Sequence, residues 1–369
     1  MSTVPAPDVP AVPAPLSGWR LSPLARRRWA ALRANRRGWY SLWIFTALFT
    51  LTLFAELIAN DRPILLVQDG VWRVPVLIDY TEAELGGELP IAADFHDPYV
   101  QELIAGSWAL WPPIPFDYAT IDYRLDEAAP APPSARHWLG TDEVAKDTLA
   151  KLIYGFRLSV VFGILLTAAS AVIGIAVGAV QGYFGGRVDL IGQRLVEVWQ
   201  GLPILFLLII LASIVEPGFG WLLGLLVLFG WMPLVGVVRA EFLRARSFDF
   251  VRAARALGVP NRTIMRRHVL PNAMVAALTY LPFLLNGAIT TLTALDFLGF
   301  GLPAGSPSLG ELLRQGQANL QAPWLGLSAF LTLAVMLTLL IFVGEAVRDA
   351  FDPRRAAGTA GRRAGAAPP

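Results

Sequence analysis

Six long apolar segments divide the sequence, and polar stretches of very different lengths separate them. Each segment is close to the roughly 20 residues that an α-helix needs to cross a bilayer. The apolar runs predict membrane spans at about 39–59, 157–181, 190–214, 219–239, 274–296 and 323–345. Proline and glycine interrupt the third and fourth spans, so we predict kinks there. The pattern therefore predicts an all-α membrane protein with six transmembrane helices.

The polar stretches then divide the chain into regions. We predict an N-terminal tail at 1–38, a first span at 39–59, and an insert with an amphipathic lead-in at 60–152. A five-helix core at 153–350 and a C-terminal tail at 351–369 follow. Because the apolar run near residue 40 starts too late for a cleavable signal peptide, we interpret it as a retained anchor after a disordered tail.

Composition supports a membrane protein. Of the 369 residues, 55% are hydrophobic and only 16% are charged, whereas about 25% of the residues of an average soluble protein are charged. The chain has no cysteine, which excludes disulfides and thiolate metal sites. Its three histidines, His96, His137 and His268, are far apart in the sequence, so we expect no metal site.

Sequence motifs of several membrane enzymes are absent. The only two lysines, Lys146 and Lys151, do not follow a Gly-x-x-x-x-Gly sequence, so the chain has no phosphate-binding P-loop. Neither Gly-x-Ser-x-Gly nor His-Glu-x-x-His occurs. We therefore do not expect this chain to be an ATPase or a hydrolase, and we expect no cofactor bound to it.

The distribution of charged residues predicts the orientation of the chain in the membrane. The tail at 1–38 holds seven arginines against Asp8 alone, and the loop from Arg239 to His268 holds eight arginines against two acids. With six spans, these segments and the C-terminal tail all lie on one side, which the positive-inside rule assigns to the cytoplasm. The acidic insert at 60–152 then faces the periplasm.

The insert is rich in aromatic residues, which argues against plain disorder. Its aromatic residues include Trp72, Tyr80, Tyr99, Trp108, Trp111, Tyr118 and Tyr123. We predict a small folded unit of short strands and turns, followed by a stiff spacer at Ala128–Pro133. Two roles remain open at this point: contact with a delivery protein or partner subunit, and a rigid cap on the outer face.

A polar stretch at 249–271 lies between the fourth and fifth spans and predicts a helix, a turn and a second short helix. Its alanines favour helix, and Gly258 suits a C′ position with positive φ. Pro260 suits the first turn of the second helix, which Leu270-Pro271 is expected to end. This arginine-rich double helix indicates a docking element, and the alternative is a basic loop lying on the bilayer surface.

Two stretches resemble motifs of ABC importer permeases. The loop at 247–271 resembles the "EAA" coupling loop, with an arginine, Arg252, in place of the usual glutamate. Its matching residues are Ala253, Ala254, Leu257, Gly258, Ile264, Leu270 and Pro271. The stretch from His137 to Ser159 resembles the signature of the second permease subunit of dipeptide, oligopeptide and nickel importers. Its matching residues are His137, Leu139, Gly140, Thr141, Asp142, Asp147, Gly155, Arg157 and Ser159.

Residues Ala145 and Lys146 replace the Gly-Arg pair that is usual in that signature, while Thr141 or Asp142 is expected to cap the helix that follows. Three further segments, 182–189, 296–302 and 344–354, also resemble family motifs in register. The long insert is similar to that of the Yej-type branch, whose members import oligopeptides and the peptide–nucleotide antibiotic microcin C.

The resemblance implies the type I ABC importer permease fold and ATP-driven, alternating-access import of oligopeptides across the bacterial inner membrane. It implies ATPase subunits that bind ATP and Mg²⁺, a second permease subunit, and a periplasmic binding protein as partners. We expect contact with membrane lipid and none with nucleic acid. The alternatives are a self-sufficient ion-coupled carrier or channel, and a membrane scaffold. The spans show no proton-relay pattern, and Glu197 is expected to pair with Arg194 rather than line a path.

Overall fold

The computed structural model describes residues 23–212, 214–215 and 218–352, and most of them are helical. The helices near the N-terminus and in the insert are α1 (Pro23–Ala34), α2 (Arg36–Leu53), α3 (Ala55–Ile58) and α4 (Pro98–Leu103). The next are α5 (Thr148–Phe184), α6 (Gly186–Gln200), α7 (Ile204–Ala212), α8 (Phe219–Gly230) and α9 (Met232–Ala245). The last are α10 (Asp249–Ala256), α11 (Asn261–Thr263), α12 (Leu270–Phe297), α13 (Leu309–Ala318) and α14 (Pro323–Phe351).

Four helical stretches in the described part of the chain are long and apolar enough to cross a membrane. They are Thr148–Phe184, Phe219–Ala245, Asn261–Phe297 and Pro323–Phe351. A fifth candidate is the pair α6 and α7, whose axes are bent by 63°. The bend lies at Gly201-Leu202-Pro203, where proline removes a backbone donor. This is the kink predicted in the third span. In the fourth span, α8 and α9 are separated only at Trp231 and Phe219–Ala245 remains one helical stretch, so the kink predicted there stays a prediction.

The first predicted span, 39–59, does not form one long apolar helix. Instead α2 covers only Arg36–Leu53 and includes two arginines, and the helix is interrupted at Phe54 before the short α3. A count of six spans therefore stays a prediction. The N-terminal region also differs from the predicted disordered tail, because α1 is a helix and packs on the end of α14. Residues 1–22 and 353–369 of the predicted tails lie outside the described residues.

The insert is folded, as the aromatic content predicts. Strand β1 (Leu65–Gln68) pairs antiparallel with β2 (Val71–Arg73) and with β3 (Trp108–Leu110), so the order is β2-β1-β3. Asp69 and Gly70 connect β1 to β2 with positive φ at both residues, which suits a two-residue hairpin turn. One face of the sheet covers a small core that includes Leu66, Leu85, Phe95 and Val100.

The predicted spacer at Ala128–Pro133 is docked rather than free. Ala131 is buried; its N–H donates to Thr141 Oγ1 at 2.9 Å, and its carbonyl accepts from the Thr141 N–H at 2.9 Å. The amphipathic lead-in also differs from expectation. Helix α5 begins at Thr148 and runs without a break to Phe184, so the predicted core boundary at residue 153 falls inside one helix.

Helices α5 and α9 pack closely through three glycines spaced four residues apart, Gly174, Gly178 and Gly182. A Cβ added to these glycines would lie 2.6, 2.8 and 2.5 Å from the carbonyl oxygens of Trp231, Val235 and Arg239, respectively. Small residues at this spacing let two helix backbones approach each other in a membrane. The second and fourth predicted spans therefore form one tightly joined pair.

Candidate functional site

The predicted coupling loop begins as the sequence indicates. Helix α10 ends at Ala256, and Gly258 has φ of +76°, the left-handed conformation predicted for it. The N–H groups of Gly258 and Val259 donate to the carbonyls of Arg255 and Ala254 at 3.1 Å, which satisfies groups that the helix end leaves free. Pro260 immediately precedes α11 as its N-cap, with φ of −63°.

The end of the loop is different from the prediction. Leu270-Pro271 does not end a second short helix, because residues 261–297 form one continuous helical stretch that includes the fifth predicted span. A wide π-helical turn at Ile264–Val269 joins α11 to α12, and Pro271 lies in the first turn of α12. Proline cannot donate an intrahelical hydrogen bond and its ring clashes with the carbonyl four residues earlier. A local π turn changes that backbone spacing, so the helix continues through the proline.

The seven matched residues of this loop separate into two groups. Ile264 is fully buried, Ala254 is buried and Leu270 is partly buried, and they pack in a core shared with α5, α9 and α12. The other four face outward. They are Ala253, Leu257, Gly258 and Pro271. Leu257 is 83% exposed although it is a large apolar side chain. The loop therefore has a buried side that fixes it and an exposed side free to meet another protein.

Two contacts that sequence reasoning missed join the loop to α5. The Tyr183 hydroxyl donates to Asn261 Oδ1 at 2.7 Å, and the Arg255 guanidinium lies 5.4 Å from the centre of the Tyr183 ring. Tyr183 is buried in the same core as Ile264. A tyrosine beside a glycine-rich turn gives no sequence signal for a partner so far along the chain.

Arg252, which replaces the usual glutamate, folds back on its own loop. Its Nε donates to the Ser247 carbonyl at 3.1 Å, and its Nη2 lies 3.1 Å from Asp249 Oδ1. Both charged side chains of this pair are mostly exposed, so the pair adds little stability. The substitution leaves the helix–turn geometry intact.

The signature residues form a second site, a buried polar cluster around His137. Its Nδ1 is 2.9 Å from Asp147 Oδ2, and its Nε2 is 3.1 Å from Asp122 Oδ2. Arg136 Nε lies 3.2 Å from the same Asp122 oxygen. Asp122 was not predicted, because it lies in the insert, outside the matched motif. Because both ring nitrogens face carboxylate oxygens, which only accept, the contacts indicate an imidazolium that donates to Asp147 and Asp122.

The pKa values of the cluster follow from these contacts. Burial lowers the pKa of His137, but the hydrogen bonds and charges of Asp147 and Asp122 outweigh burial and raise it above the ordinary value. For Asp122, burial acts to raise the pKa. The Arg124 N–H, His137 and Arg136 outweigh burial and hold the pKa of Asp122 below its usual value. Both shifts favour the charged pair.

The middle of the signature holds a buried ion pair. Lys151 Nζ contacts Asp142 Oδ2, and Asp142 Oδ1 accepts from the N–H groups of Val144 and Lys146, both at 2.9 Å. Thr141 is buried, and its carbonyl accepts from Trp324 Nε1 of α14 at 3.2 Å. A Cβ on Gly140 would lie 2.8 Å from that indole nitrogen. These residues attach the start of α5 to the start of α14.

The end of the signature anchors α5. Asp147, rather than the predicted Thr141 or Asp142, is the N-cap, and its Oδ1 accepts from the Ala150 N–H at 2.7 Å. Gly155 allows the close approach of Leu309. Arg157 Nη1 donates to both carboxylate oxygens of Glu56 at 2.8 and 3.0 Å, and so connects α5 to α3.

The departure from the family pattern at Ala145 has a structural consequence. Ala145 has φ of +62°, a conformation that glycine adopts without steric cost and alanine does not. The usual glycine of the signature is thus explained by backbone geometry. This chain keeps the same turn with an alanine.

The other motifs are also held by local contacts. Asp189 forms a bidentate salt bridge with Arg239, in which Nη2 donates to Oδ2 at 2.6 Å. Asp296 is buried and accepts from the Leu302 N–H at 2.7 Å and from the Ser308 hydroxyl at 2.5 Å. Arg194 pairs with Glu197 as predicted. The segment 344–354 is described only to Asp352.

The charged groups of the signature cluster and the Asp189–Arg239 pair contact oppositely charged side chains, whereas Asp296 is held by a backbone N–H and a serine hydroxyl. Among the described residues, no group of three or more potential ligands is placed to hold a metal ion. The signature cluster thus connects helices through buried polar contacts, whereas the loop at 249–271 presents an exposed apolar side chain, Leu257.

Comparison with known proteins gives consistent results. Residues 148–357 match the family described as "Binding-protein-dependent transport system inner membrane component". The chain is 60% identical over 338 residues to the Inner membrane ABC transporter permease protein YejE of Escherichia coli (strain K12), covering 91% of this chain and 99% of that protein. It is 54% identical over 359 residues to the Peptidoglycan transport system permease protein YejE of Agrobacterium fabrum (strain C58 / ATCC 33970), covering 90% and 94%.

Identity to the Dipeptide transport system permease protein DppC of Bacillus subtilis (strain 168) is 34% over 226 residues, covering 60% of this chain and 70% of that protein. The two matches that extend over the insert confirm the resemblance to the Yej-type branch. Together, the family match and these identities show that the chain belongs to the family of inner-membrane permease components of binding-protein-dependent ABC transport systems.

Proposed function

We propose that this permease subunit imports oligopeptides by alternating access, and that the loop at 249–271 receives the movement of the ATPase subunits. A second permease subunit supplies the other half of the pathway, and a periplasmic binding protein delivers the cargo. Both termini and the loop lie in the cytoplasm, and the insert lies in the periplasm. The ATPase subunits, not this chain, bind ATP and Mg²⁺.

One observation supports the proposal: among the described residues, the loop packs against α5, α9 and α12 on one side and exposes the apolar side chain of Leu257 on the other. Ile264 and Val269 are fully buried, and Tyr183 ties Asn261 to α5. Leu257 projects from the opposite side. A ligand shifts a conformational equilibrium only through different affinities for the two states. A remote ATPase can therefore change the conformation of the spans only if the loop moves together with the helices to which it is packed.

The route of transmission follows from chain continuity. Helix α9 leads into α10 through a turn in which the Phe248 N–H donates to the Ala245 carbonyl at 3.1 Å. On the other side, the loop continues as one helix into the fifth predicted span. Displacement of the loop thus moves the fourth and fifth spans together.

Replacement of Gly258 by valine tests the coupling. Valine is strained at φ of +76°, although no atom lies within 4 Å of an added Cβ. We expect assembly of the complex with ATP hydrolysis that no longer drives uptake. Gly106→Val is the matched control, because Gly106 also has open space around an added Cβ and no positive φ. Normal uptake by Gly258→Val at normal membrane levels would contradict the mechanism.

The cargo proposal rests on the relatives, since the spans are lined with aliphatic residues that specify no ligand. The test is uptake of labelled oligopeptides by a strain that lacks the transporter and expresses this chain with its partners. Peptidoglycan-derived peptides are added as unlabelled competitors. The narrower proposal that microcin C is also carried predicts that expression of this chain with its partners restores microcin C sensitivity. Persistent resistance would remove microcin C and leave the oligopeptide proposal intact.

The competing class, a self-sufficient carrier or channel, makes the opposite prediction for the purified protein. We expect this chain to co-purify with ATPase subunits and a second permease, and to transport nothing in proteoliposomes without ATP. Transport by the chain alone, driven by an ion gradient, would replace the present proposal.

A further inference from the structure

An apolar cavity lies between α1 and the end of α14. Helix α1 lines it with Ala25, Trp29 and Leu32, whose spacing places them on one face of the helix. The facing wall consists of Val347, Ala350 and Phe351 of α14, and the volume is about 320 Å³. This cavity is separate from both the coupling loop and the signature cluster.

The rim of the cavity is cationic. Among the described residues that line it, Arg28 alone is charged, and its guanidinium lies 4.4 Å from the centre of the Phe351 ring. Helix α1 contains no acidic residue, and Arg27, Arg33, Arg36 and Arg37 are exposed nearby. Two acids belong to the end of α14 and the residue after it: Asp349, which accepts from Asn35 Nδ2 at 3.3 Å, and Asp352, which follows Phe351.

Aromatic residues join α1 to the beginning of α2. The rings of Trp29 and Trp39 meet edge to face at 5.4 Å, and those of Trp39 and Trp43 at 5.7 Å. Arg33 lies 5.3 Å from the centres of both the Trp29 and Trp39 rings. Clustered tryptophan and arginine at the start of an apolar helix are typical of the membrane–water boundary.

We propose that this cavity binds one anionic phospholipid, with part of an acyl chain against the apolar walls and the phosphate beside Arg28. Charge and shape together favour this occupant. A soluble anion would leave the apolar walls uncovered, and an apolar peptide would not need the arginines. An amphipathic helix with a basic face also matches the chemistry of an anionic lipid surface. The inference goes beyond the proposed transport function and does not depend on the cargo.

The test is native mass spectrometry of the full chain, purified with its associated subunits and titrated with phosphatidylglycerol or phosphatidylcholine of identical acyl chains. We expect retention of phosphatidylglycerol in preference to phosphatidylcholine. Arg28→Gln should weaken retention about fivefold, which corresponds to about 1 kcal/mol per arginine near an anionic surface. Arg28→Lys should retain most of the binding. Ala25→Trp should abolish it by filling the cavity while every arginine remains.

Arg187→Gln is the matched control, because it removes the same charge from an exposed position on α6 and should leave retention unchanged. Equal affinity for the two lipids, or unchanged affinity in both Arg28→Gln and Ala25→Trp, would overturn the proposal. So would displacement of phosphatidylglycerol by inorganic phosphate, or retention only after deletion of residues 353–369 or 1–22. If a variant loses phosphatidylglycerol but keeps ATP-dependent uptake, the proposed transport function stands without a role for the lipid. If the unsubstituted complex retains phosphatidylglycerol but shows no uptake, the lipid site stands and the proposed transport function fails.

Discussion

The coupling loop and the signature cluster are at opposite predicted sides of the membrane, and different forces fix them. Apolar packing holds the loop through Ile264 and Val269, and its outer side exposes Leu257. Paired charges hold the cluster, where Asp142, His137 and Lys151 are almost completely inaccessible.

The difference relates to what each region must do. Hydrophobic contacts have no fixed direction, so a loop held by them can shift as a unit while its core stays covered. A buried ion pair is costly to form and costly to break, so it favours one arrangement over its alternatives. We therefore interpret the coupling loop as the moving input and the signature cluster as a fixed joint.

Removing one partner of the buried ion pair should have the largest effect. Asp142→Ala leaves Lys151 charged and buried, which costs about 3–5 kcal/mol, and we expect loss of the protein from the membrane on immunoblots. The double variant Asp142→Ala/Lys151→Met should recover part of the loss. Asp249→Ala, at a carboxylate that is 98% exposed, is the control. Normal levels of Asp142→Ala would show that the cluster is not a fixed joint.

A charge on the exposed side of the loop should weaken binding without unfolding the chain. Leu257→Glu should reduce ATPase binding about thirtyfold, the effect of losing an interface residue worth about 2 kcal/mol, and leave the melting temperature unchanged. Pull-down of the ATPase subunits measures the binding, and thermal unfolding measures the melting temperature. Leu320→Glu is the matched control, since Leu320 is 82% exposed and lies outside the loop. Equal binding by both variants would exclude Leu257 from the interface.

The His137 cluster should make stability depend on pH in a defined direction. Because the folded-state pKa of His137 is raised, its contribution is complete below the unfolded value of about 6.5 and is lost as pH rises through the folded pKa. The pKa of Asp122 is lowered, so its contribution to stability is lost as pH falls through its folded-state pKa. The melting temperature should therefore fall on the alkaline side, and His137→Gln should flatten that fall whereas His268→Gln should not. A pH-independent melting temperature in the unsubstituted chain would contradict the charged assignment.

The smallest expected effect is an increase in the free energy of unfolding. Ala145→Gly relieves a left-handed alanine that costs roughly 1–2 kcal/mol, offset in part by the greater entropy of unfolded glycine. We expect a net stabilisation of about 1 kcal/mol in thermal unfolding. Ala30→Gly, in the exposed interior of α1, should instead destabilise by about 1 kcal/mol. Destabilisation by Ala145→Gly would show that the backbone strain is already compensated.

Local features of the sequence were sufficient to predict local structure. The apolar runs at 157–181, 219–239, 274–296 and 323–345 coincide with long apolar helices, whereas the run at 39–59 does not form one. The left-handed conformation at Gly258 follows from residue type. Pro271 was misinterpreted because proline usually ends a helix, and the π turn before it has no sequence signal.

Contacts between distant residues could not be predicted from local pattern. Asp122 completes the His137 cluster, Glu56 receives Arg157, and Tyr183 meets Asn261 only because the fold brings them together. Helix α1 was missed because a segment rich in arginine and alanine after a proline-rich stretch has no long apolar run. In the fold it packs on α14, which is far from it in the sequence.

The continuous helix from Asn261 to Phe297 has a geometric consequence for transport. Its 37 residues make a rod about 55 Å long, nearly twice the thickness of the bilayer hydrocarbon. A rotation of the whole stretch by about 10° around its midpoint would move each end by roughly 5 Å in opposite directions. The π turn at Ile264–Val269 and Pro282 interrupt its regular hydrogen bonding and are the points at which it would bend. Under the coupling proposed above, a displacement of the end at Asn261 would therefore displace the end at Phe297 in the opposite direction.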